Sequence, residues 1–400
     1  MKISSVLLSS AAIFVAGSVY AADLPAKKAA PAAAKSTECP AFGAGYFSIP
    51  GGETCIKING YVRADSRYIT NYPRPASTPF QLGYKFIVGV DTMSNTELGN
   101  VHSRVGFYDF QLTAGTSTSA DTPTHIPGTV GLETAYIDIG GFRAGNAPSV
   151  VDYNNAYNNS GLQYQPPGVS QLAYTASLGG STKLTVAAEA TTYSDNNAEL
   201  SSAVSVASRP DLIASVNSKM GDVVWQLGVV SHEVAAASGT GQGFATLGRM
   251  DATFGDMKLI LGAGYASGAT AYIDNPTTYG ETTSAVKPLG GGIADSDVNG
   301  QNLATAQMQT AALEYKLGAN TVYAYAGSEN ANGPSGTVGS LTLSGKYSKQ
   351  IYGVGFKYPI GKTLYVRPEV YTYNEDKGLT TAAGSLQSYS AVYIRVRKDF

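Results

Sequence analysis

The last ten residues of the chain, AVYIRVRKDF (391–400), alternate between apolar and polar side chains. The apolar face carries three aliphatic residues, Val392, Ile394 and Val396. The opposite face carries Arg395 and Arg397. Strict alternation predicts a β-strand whose two faces meet different surroundings. Two folds share this pattern: the edge of a soluble sandwich, with its arginines in water, and a transmembrane barrel, with its arginines in a wet lumen.

The same alternation recurs along the chain in segments of about ten residues. It is clearest in CIKINGYVRADSRY (55–68), GYKFIVGVD (83–91), VVWQLGVV (223–230) and TLYVRPEVYTY (363–373). In the first segment Ile58 and Val62 share one face, whereas Arg63 and Asp65 share the other. Segments with this length and period are typical of the strands of an outer-membrane β-barrel.

The connections between these segments fall into a short and a long class, and the two classes alternate. The short ones lie at 94–99, 140–141, 179–180, 220–221, 255–257, 317–320 and 359–362. The long ones, rich in Ser, Thr, Asn, Gly and Pro, lie near 69–80, 116–128, 147–169, 194–208, 232–243, 268–305, 328–342 and 376–388. Seven tight turns and eight long loops predict sixteen antiparallel strands, with the two classes on opposite rims. An even number lets the last strand pair with the first, which removes exposed edges.

The N-terminus, MKISSVLLSSAAIFVAGSVYA (1–21), has a basic start, an apolar stretch and small residues at its end. We expect a secretory signal peptide, with Val19 and Ala21 before the cleavage site. The alternative is a membrane anchor helix, but serines break the stretch and it is shorter than the roughly 20 residues that a span needs. Cleavage would leave residues 22–38 as an Ala/Pro/Lys-rich flexible segment.

The chain contains two cysteines, Cys39 and Cys55. An even count in an exported protein predicts one disulfide, which would close the hairpin 39–55 ahead of a barrel over 56–400. Closing a loop of about 15 residues contributes roughly 3 kcal/mol in the chain-entropy model. A metal site is disfavoured, because it would need more ligands and the sequence has no CxxC pair.

The composition narrows the class of protein. The chain has 46 Gly, 27 Tyr and only 14% charged residues, and beyond the N-terminal stretch it has no apolar run long enough for a membrane-spanning helix. A helical membrane protein is therefore excluded. The many tyrosines suit a membrane–water boundary, where one end of the side chain is apolar and the other is wet. No basic cluster points to nucleic acid as a partner.

Several stretches resemble the alphaproteobacterial outer-membrane porins of the Brucella and Rhizobium type. The most specific is GAGYFSIPGGETC (43–55) running into INGYVR (58–63). The others are DTMSNTELGNV (91–101), AYIDIGGFRAGNA (135–147), QLAYTASLGG (171–180) and YIRVRKDF (393–400). The terminal Phe400 is similar to the aromatic signal that outer-membrane barrels present to their assembly machinery. These matches extend over nearly the whole chain after Cys39.

The resemblance implies a sixteen-stranded, homotrimeric barrel with a general diffusion pore for ions and small hydrophilic solutes. It also implies that the third long loop folds into the channel. The partners that follow are outer-membrane lipid, lipopolysaccharide and the barrel-assembly machinery, the last reached through the C-terminal strand. No cofactor is implied.

Selectivity in such a pore depends on its narrowest cross-section and on the charges around it. We expect the charged residues of the inward phase, with the one acid of the third loop, to line the pore: Lys57, Arg63, Arg67, Arg104, Arg143, Asp152, Arg367, Glu369, Arg395 and Arg397. The first and last strands would be neighbours, so their arginines would form a basic wall facing the acid-bearing loop. The alternative is a structural role, in which these arginines only pair with Asp65 and Glu369.

Other motifs are weaker. DSDVNG (295–300) matches the opening of a calcium loop, but Ala306 stands where the bidentate Glu belongs, so a polar turn is favoured. GAGYASG (262–268) lies on an alternating strand and is no dinucleotide fingerprint. The three histidines lack metal-ligand spacing, and no G-x-S-x-G nucleophile motif is present.

Three classes of function remain. The sequence favours a passive channel. The alternative is a surface receptor or adhesin that acts through its long loops, and an outer-membrane enzyme is the least favoured because no catalytic residues stand out. Planar-bilayer conductance separates the first class from the other two.

Overall fold

The computed structural model describes residues 38–49, 52–70, 79–114, 130–153, 168–190, 208–236, 239–273, 302–333, 336–338, 341–343, 345–376 and 386–400. The predicted signal peptide, nearly all of the predicted flexible segment and the calcium-like motif at 295–300 lie outside these residues. In the part of the chain that is described, no helix is long and apolar enough to cross a membrane.

Sixteen long strands form one antiparallel sheet within the described residues. In chain order they are β1 (Cys55–Thr70), β2 (Phe80–Thr96), β3 (Gly99–Ala114), β4 (Gly131–Ile139), β5 (Phe142–Ala147), β6 (Val169–Gly179), β7 (Thr182–Glu189), β8 (Asp211–Met220), β9 (Val223–Ala236), β10 (Gly239–Phe254), β11 (Met257–Ser267), β12 (Thr305–Leu317), β13 (Asn320–Asn332), β14 (Lys346–Pro359), β15 (Leu364–Asp376) and β16 (Leu386–Asp399). The predicted strand number is confirmed.

The sheet closes on itself. Each strand pairs antiparallel with the next, and β16 pairs with β1 from Ser390 opposite Thr70 to Asp399 opposite Tyr61. Closure satisfies the backbone groups that an open sheet would leave at its two edges. The alternating segment 391–400 therefore belongs to the strand that closes the barrel.

The alternating side chains sort between the two faces of this wall. On β16, Val392, Ile394 and Val396 are exposed on the outside, whereas Tyr393 and Arg395 are buried on the inside. The same holds on β15, where Val370 is exposed and Arg367 is buried. A band of exposed aliphatic and aromatic side chains surrounds the barrel, as expected of a wall that faces hydrocarbon. The predicted orientation of the strands is confirmed.

The tight turns lie where the sequence predicts them, between β2 and β3 and at every second connection after it. The long connection predicted at 232–243 is wrong. There β9 and β10 form one extended hairpin, in which His232 lies opposite Gly243 and only residues 237–238 separate the strands. The stretch GTGQG (239–243) is small and polar like a loop, but its backbone is paired along the strand.

The predicted disulfide is confirmed. The Sγ atoms of Cys39 and Cys55 are 2.01 Å apart, and they close a hairpin that precedes β1. Inside it a short 3₁₀ turn, Pro40–Phe42, leads to a two-residue strand in which Phe47 pairs with Ile56. The Cys39 amide donates to the Tyr46 carbonyl at 2.9 Å. The hairpin is therefore fixed to the first barrel strand by both the backbone and the disulfide.

Candidate functional site

The interior of the barrel carries both apolar clusters and buried charges. One apolar cluster consists of buried residues on β6 to β14, together with residues from two connections. Those from the connections are Val151, Tyr153, Ala269, Tyr272 and Ile273. The predicted basic residues lie on β1, β3, β5, β15 and β16, on either side of the junction between β16 and β1, which we call the seam. A second apolar cluster, which includes Ile69, Tyr371 and Tyr393, lies at the seam as well.

The start of the third long connection packs against the inner face of β8, β9 and β10. The Tyr153 and Ser215 hydroxyls are 3.2 Å apart, and the Arg249 guanidinium donates to the Tyr153 carbonyl at 3.1 Å. Gly228 makes room for this segment, since a Cβ there would lie 2.4 Å from Val151 Cγ1. Residues 154–167, which form the rest of this connection, lie outside the described part.

Asp152 belongs to this buried segment. Burial and the nearby Glu189 carboxylate raise the pKa of Asp152 to about 7, against the opposing effect of Arg249. Glu189 itself accepts a hydrogen bond from the Val150 amide at 2.9 Å. Asp152, the one acid of the third loop, therefore lies near Glu189 and Arg249. Arg249 is not among the predicted pore residues.

The sixth long connection also begins inside the barrel, which the sequence does not predict. Gly268–Ile273 folds back onto the wall, and Ile273 packs over Gly264, where a Cβ would come within 2.6 Å of its Cδ1. The Tyr272 hydroxyl donates to Asp211 at 2.5 Å, and Asp211 lies 2.8 Å from His232 Nδ1. Tyr272, Asp211 and His232 are all buried, so they hold this turn in place without facing solvent.

Three predicted arginines are buried in ion pairs near the seam. Asp65 lies between Arg63, at 3.0 Å, and Arg395, which donates to it at 2.7 and 3.2 Å. On β15, Arg367 lies 3.9 Å from Glu369. These contacts are those of the structural alternative, in which the arginines pair with Asp65 and Glu369.

Glu369 is held in turn by two tyrosines of β13. The Tyr323 and Tyr325 hydroxyls each donate to its carboxylate at 2.7 Å. Their rings lie over Gly355 and Gly353 of β14, where a Cβ would come within 2.2 and 2.7 Å of the ring carbon Cζ. Glycine at these two positions therefore makes space for the aromatic layer that surrounds the buried carboxylate.

Three other predicted basic residues lie on the inner wall with looser surroundings. Arg67 donates to Gln81 at 2.8 Å. Arg397 pairs with Asp399 at 2.7 Å and stacks over Tyr61 with its guanidinium carbon 3.8 Å from the ring centre. The Lys57 ammonium lies 5.6 Å from the ring centre of Tyr46 in the disulfide hairpin.

The last two predicted arginines, Arg104 and Arg143, belong to a row of charged side chains on β2 to β5. The charged row consists of Asp91, His102, Arg104, Asp138 and Arg143. Arg104 pairs with Asp91 at 2.7 Å, and Arg143 pairs with Asp138 at 2.7 Å. His102 lies between the two acids, 2.9 Å from Asp91 and 3.3 Å from Asp138. The register brings the row together, because Asp91 lies opposite Arg104 and Asp138 lies opposite both His102 and Arg143.

Sequence reasoning missed His102, Asp91 and Asp138. All three share the inward phase of their strands, but their meeting depends on three strand registers that alternation alone does not give. Among the described residues, no group of three or more His, Cys, Asp or Glu side chains is arranged to hold a metal ion.

At the C-terminus, the backbone of Phe400 exchanges two hydrogen bonds with Gly60, both at 3.1 Å. Its ring is exposed. The last residue therefore continues the pairing of the seam and leaves an aromatic side chain at the rim.

The sequence matches one protein family, and the fold resembles solved structures of outer-membrane β-barrels. The family model described as "Porin subfamily" matches residues 27–393. Porin Omp2b of Brucella suis is 37% identical over 150 residues, which are 36% of this chain and 39% of that porin. The alignment thus spans about two fifths of the curated relative's length.

Two solved structures resemble this fold. The outer membrane channel DcaP of Acinetobacter baumannii gives a TM-score of 0.61 at 17% identity, covering 87% of this chain and 97% of that chain. OmpT, an outer membrane protein of Vibrio cholerae in its trimer form, gives 0.51 at 12% identity, covering 87% of this chain and 100% of that chain. At these identities the likeness is one of fold alone.

Proposed function

Because this chain belongs to the alphaproteobacterial outer-membrane porin family, we propose that it forms a water-filled channel for passive diffusion of ions and small hydrophilic solutes. The observation that carries the proposal is the closed wall of sixteen strands with an apolar outside and a charged inside. A barrel of this size encloses more space than its own inward side chains can fill. The remaining space is an aqueous path along the axis.

The third long connection narrows this path. The proposal is supported by Val151 and Tyr153, which are buried against β8 to β10 and hold the start of the connection on the inner wall. The hydrogen bonds of Tyr153 with Ser215 and Arg249 fix the direction in which the chain continues. A loop anchored in this way sets the width of the channel and therefore its size limit.

The predicted pore residues divide by their surroundings. Arg63, Arg367 and Arg395 are paired with Asp65 and Glu369, which compensate their charges. These three arginines therefore contribute little net charge to the electrostatic potential in the channel. Lys57, Arg67 and Arg397 line the path more directly. The measurement is the reversal potential in a salt gradient for Arg395→Ala and Arg397→Ala, with a larger change expected for Arg397→Ala.

Planar-bilayer recording of the purified full chain tests the channel itself. Large, steady conductance steps are expected. A folded barrel without steps would instead favour a surface receptor or adhesin acting through its long connections. Hydrolysis of lipid or peptide in detergent, at a rate above that of buffer, would favour an enzyme.

We further propose a homotrimer, in which a second copy covers the outer face of β4 to β7. The six residues of β5 extend roughly 20 Å, whereas the hydrocarbon core of a bilayer is about 30 Å thick and needs about 9–11 tilted residues per strand. The wall is therefore low at β4 to β7. On its outer face the apolar side chains of Phe142, Leu172 and Leu178 are 61%, 67% and 58% exposed in the single chain, so a second copy could cover them. The trimer form of the Vibrio cholerae barrel is in keeping with this arrangement.

The remaining outer face is proposed to contact outer-membrane lipid and, at the rim of the long connections, lipopolysaccharide. The exposed ring of Phe400, next to the outward residues of β16, is proposed to be read by the barrel-assembly machinery. Deletion of Phe400 is expected to reduce the amount of folded protein in the outer membrane. Heat-modifiable mobility on a denaturing gel measures the folded fraction.

A further inference from the structure

The inference concerns the charged row and rests on the proposed channel function. The row links four neighbouring strands through five side chains of alternating sign: Arg104, Asp91, His102, Asp138 and Arg143. Each contact is between residues that the register places on adjacent strands or on the same inner face. The histidine occupies the centre.

Both ring nitrogens of His102 face a carboxylate of the charged row. Nε2 lies 2.9 Å from Asp91 Oδ1, and Nδ1 lies 3.3 Å from Asp138 Oδ2. An ionised carboxylate only accepts hydrogen bonds, so an imidazolium can donate to both acids at once, whereas a neutral imidazole can donate to only one of them. Each acid also has a guanidinium partner, because Arg104 donates to Asp91 at 2.7 Å and Arg143 donates to Asp138 at 2.7 and 2.9 Å.

Four of the five side chains in the charged row are partly exposed, whereas Asp91 is 8% exposed. The side chains of Arg143, Asp138, His102 and Arg104 are 35%, 29%, 23% and 20% exposed. Those of Arg63, Arg395 and Arg367 near the seam are 10%, 9% and 5% exposed. An ion in the lumen can approach the first set more closely, and the interaction between two charges grows as their separation falls.

We propose that His102 is a selectivity-determining residue of the channel and that its protonation makes the ion selectivity depend on pH. With the imidazolium, two guanidinium groups and one imidazolium stand against two carboxylates, which gives the row a net charge of +1. With neutral imidazole the net charge is zero. The channel therefore favours anions more strongly at acidic pH than at alkaline pH.

Histidine ordinarily titrates between pH 5 and 8, which distinguishes it from the other groups around the row. Those groups are Lys57 and Asn59 on β1, Asp91 on β2, Arg104 on β3, Glu133, Tyr136 and Asp138 on β4, Arg143 on β5, and Tyr46 of the disulfide hairpin. Burial and the Asp91 charge raise the pKa of Tyr46, so this phenol stays neutral across the interval. Carboxylates paired with arginine and free lysine or arginine side chains keep their charge there.

The experiment is the reversal potential of the full-length protein in a planar bilayer with a potassium chloride gradient, at pH 5.5 and pH 8. Wild type is expected to lose anion preference as the pH rises. The expected change in the permeability ratio is roughly twofold, from Coulomb's law for one charge about 8 Å away in water. His102→Gln is expected to hold the high-pH ratio at both values, and His102→Lys the low-pH ratio.

Two controls test whether the shift belongs to His102. His232→Gln removes the other described histidine, which is buried against Asp211 and faces no solvent, and it is expected to keep the wild-type shift. Asp152 also gains charge near pH 7 and lies close to the Glu189 carboxyl, so each variant is repeated in the Asp152→Asn, Glu189→Gln background. The inference fails if His102→Gln conducts normally but retains the whole wild-type shift. Absence of channel steps in the folded wild type would instead overturn the proposed function.

Discussion

Asp65 on the first strand accepts two hydrogen bonds from Arg395 on the last, at 2.7 and 3.2 Å, although 330 positions separate them in sequence. The two residues lie opposite each other in the register of β16 and β1. The ion pair therefore ties the two ends of the sheet together on the inside of the wall, where both side chains are buried. Removing this ion pair is therefore expected to weaken the pairing between β16 and β1, which closes the barrel.

Arg395→Met is expected to destabilise the folded barrel by about 2–3 kcal/mol. Removing one partner of a buried pair costs about 3–5 kcal/mol when the other charge is left alone, but Arg63 stays 3.0 Å from Asp65. Urea unfolding from lipid vesicles measures the change. Arg397→Met is the matched control on the same strand, with an expected loss of about 1 kcal/mol or less because its pair with Asp399 is partly exposed. Equal losses for the two variants would contradict a special role for the seam pair.

Gly228→Ala is expected to displace the start of the third connection and to raise the open-channel noise and the unit conductance. An added Cβ would lie 2.4 Å from Val151 and 2.5 Å from the Tyr153 hydroxyl. This overpacking is expected to destabilise the contact of Val151 and Tyr153 with the wall by about 1–3 kcal/mol. Gly248→Ala is the control on the next strand, since its Cβ would meet Leu227 at an ordinary 3.6 Å. Single-channel recording distinguishes the two. Indistinguishable traces would show that the anchor does not set the channel width.

Stability is expected to fall as the pH rises from about 4 to about 7, through the ionisation of Asp152. The folded state holds the proton of this carboxyl up to about pH 7, whereas the unfolded chain releases it near the ordinary value of 3.8, so the unfolded state is favoured as the pH increases. The effect is on the order of a few kcal/mol. Asp152→Asn is expected to flatten this part of the stability profile in urea unfolding. Asp256→Asn, in the exposed turn before β11, is expected to leave the wild-type slope unchanged.

A tryptophan at Leu172 is expected to be shielded from lipid, and one at Val354 is expected to be exposed to it. Both positions lie on the outside, at 67% and 58% exposure in the single chain, but Leu172 belongs to the low wall proposed to face a second copy. In a Trp225→Phe background, quenching by brominated lipid measures contact with hydrocarbon. Strong quenching at both positions would argue against a subunit interface at β4 to β7.

Much of the barrel could be predicted from the sequence because each strand is recognised from the alternation of its own residues. The period of two along β1, β9, β15 and β16 sorts side chains between lipid and lumen without reference to any other strand. The tight turns contain glycines such as Gly140 and Gly221, which adopt positive φ angles of 56° and 59°. The one wrong connection, at 232–243, has small polar residues whose pairing depends on the facing strand.

The sequence by itself determined the closed sixteen-stranded wall, its two faces and the disulfide between Cys39 and Cys55. Only the tertiary structure decided which charges are neutralised at the seam and which remain solvated, as in the charged row around His102. The physical reason is that alternation specifies a face, whereas a partner depends on register and closure. These set distances between residues far apart in the chain, such as Asp65 and Arg395 or His102 and Asp138.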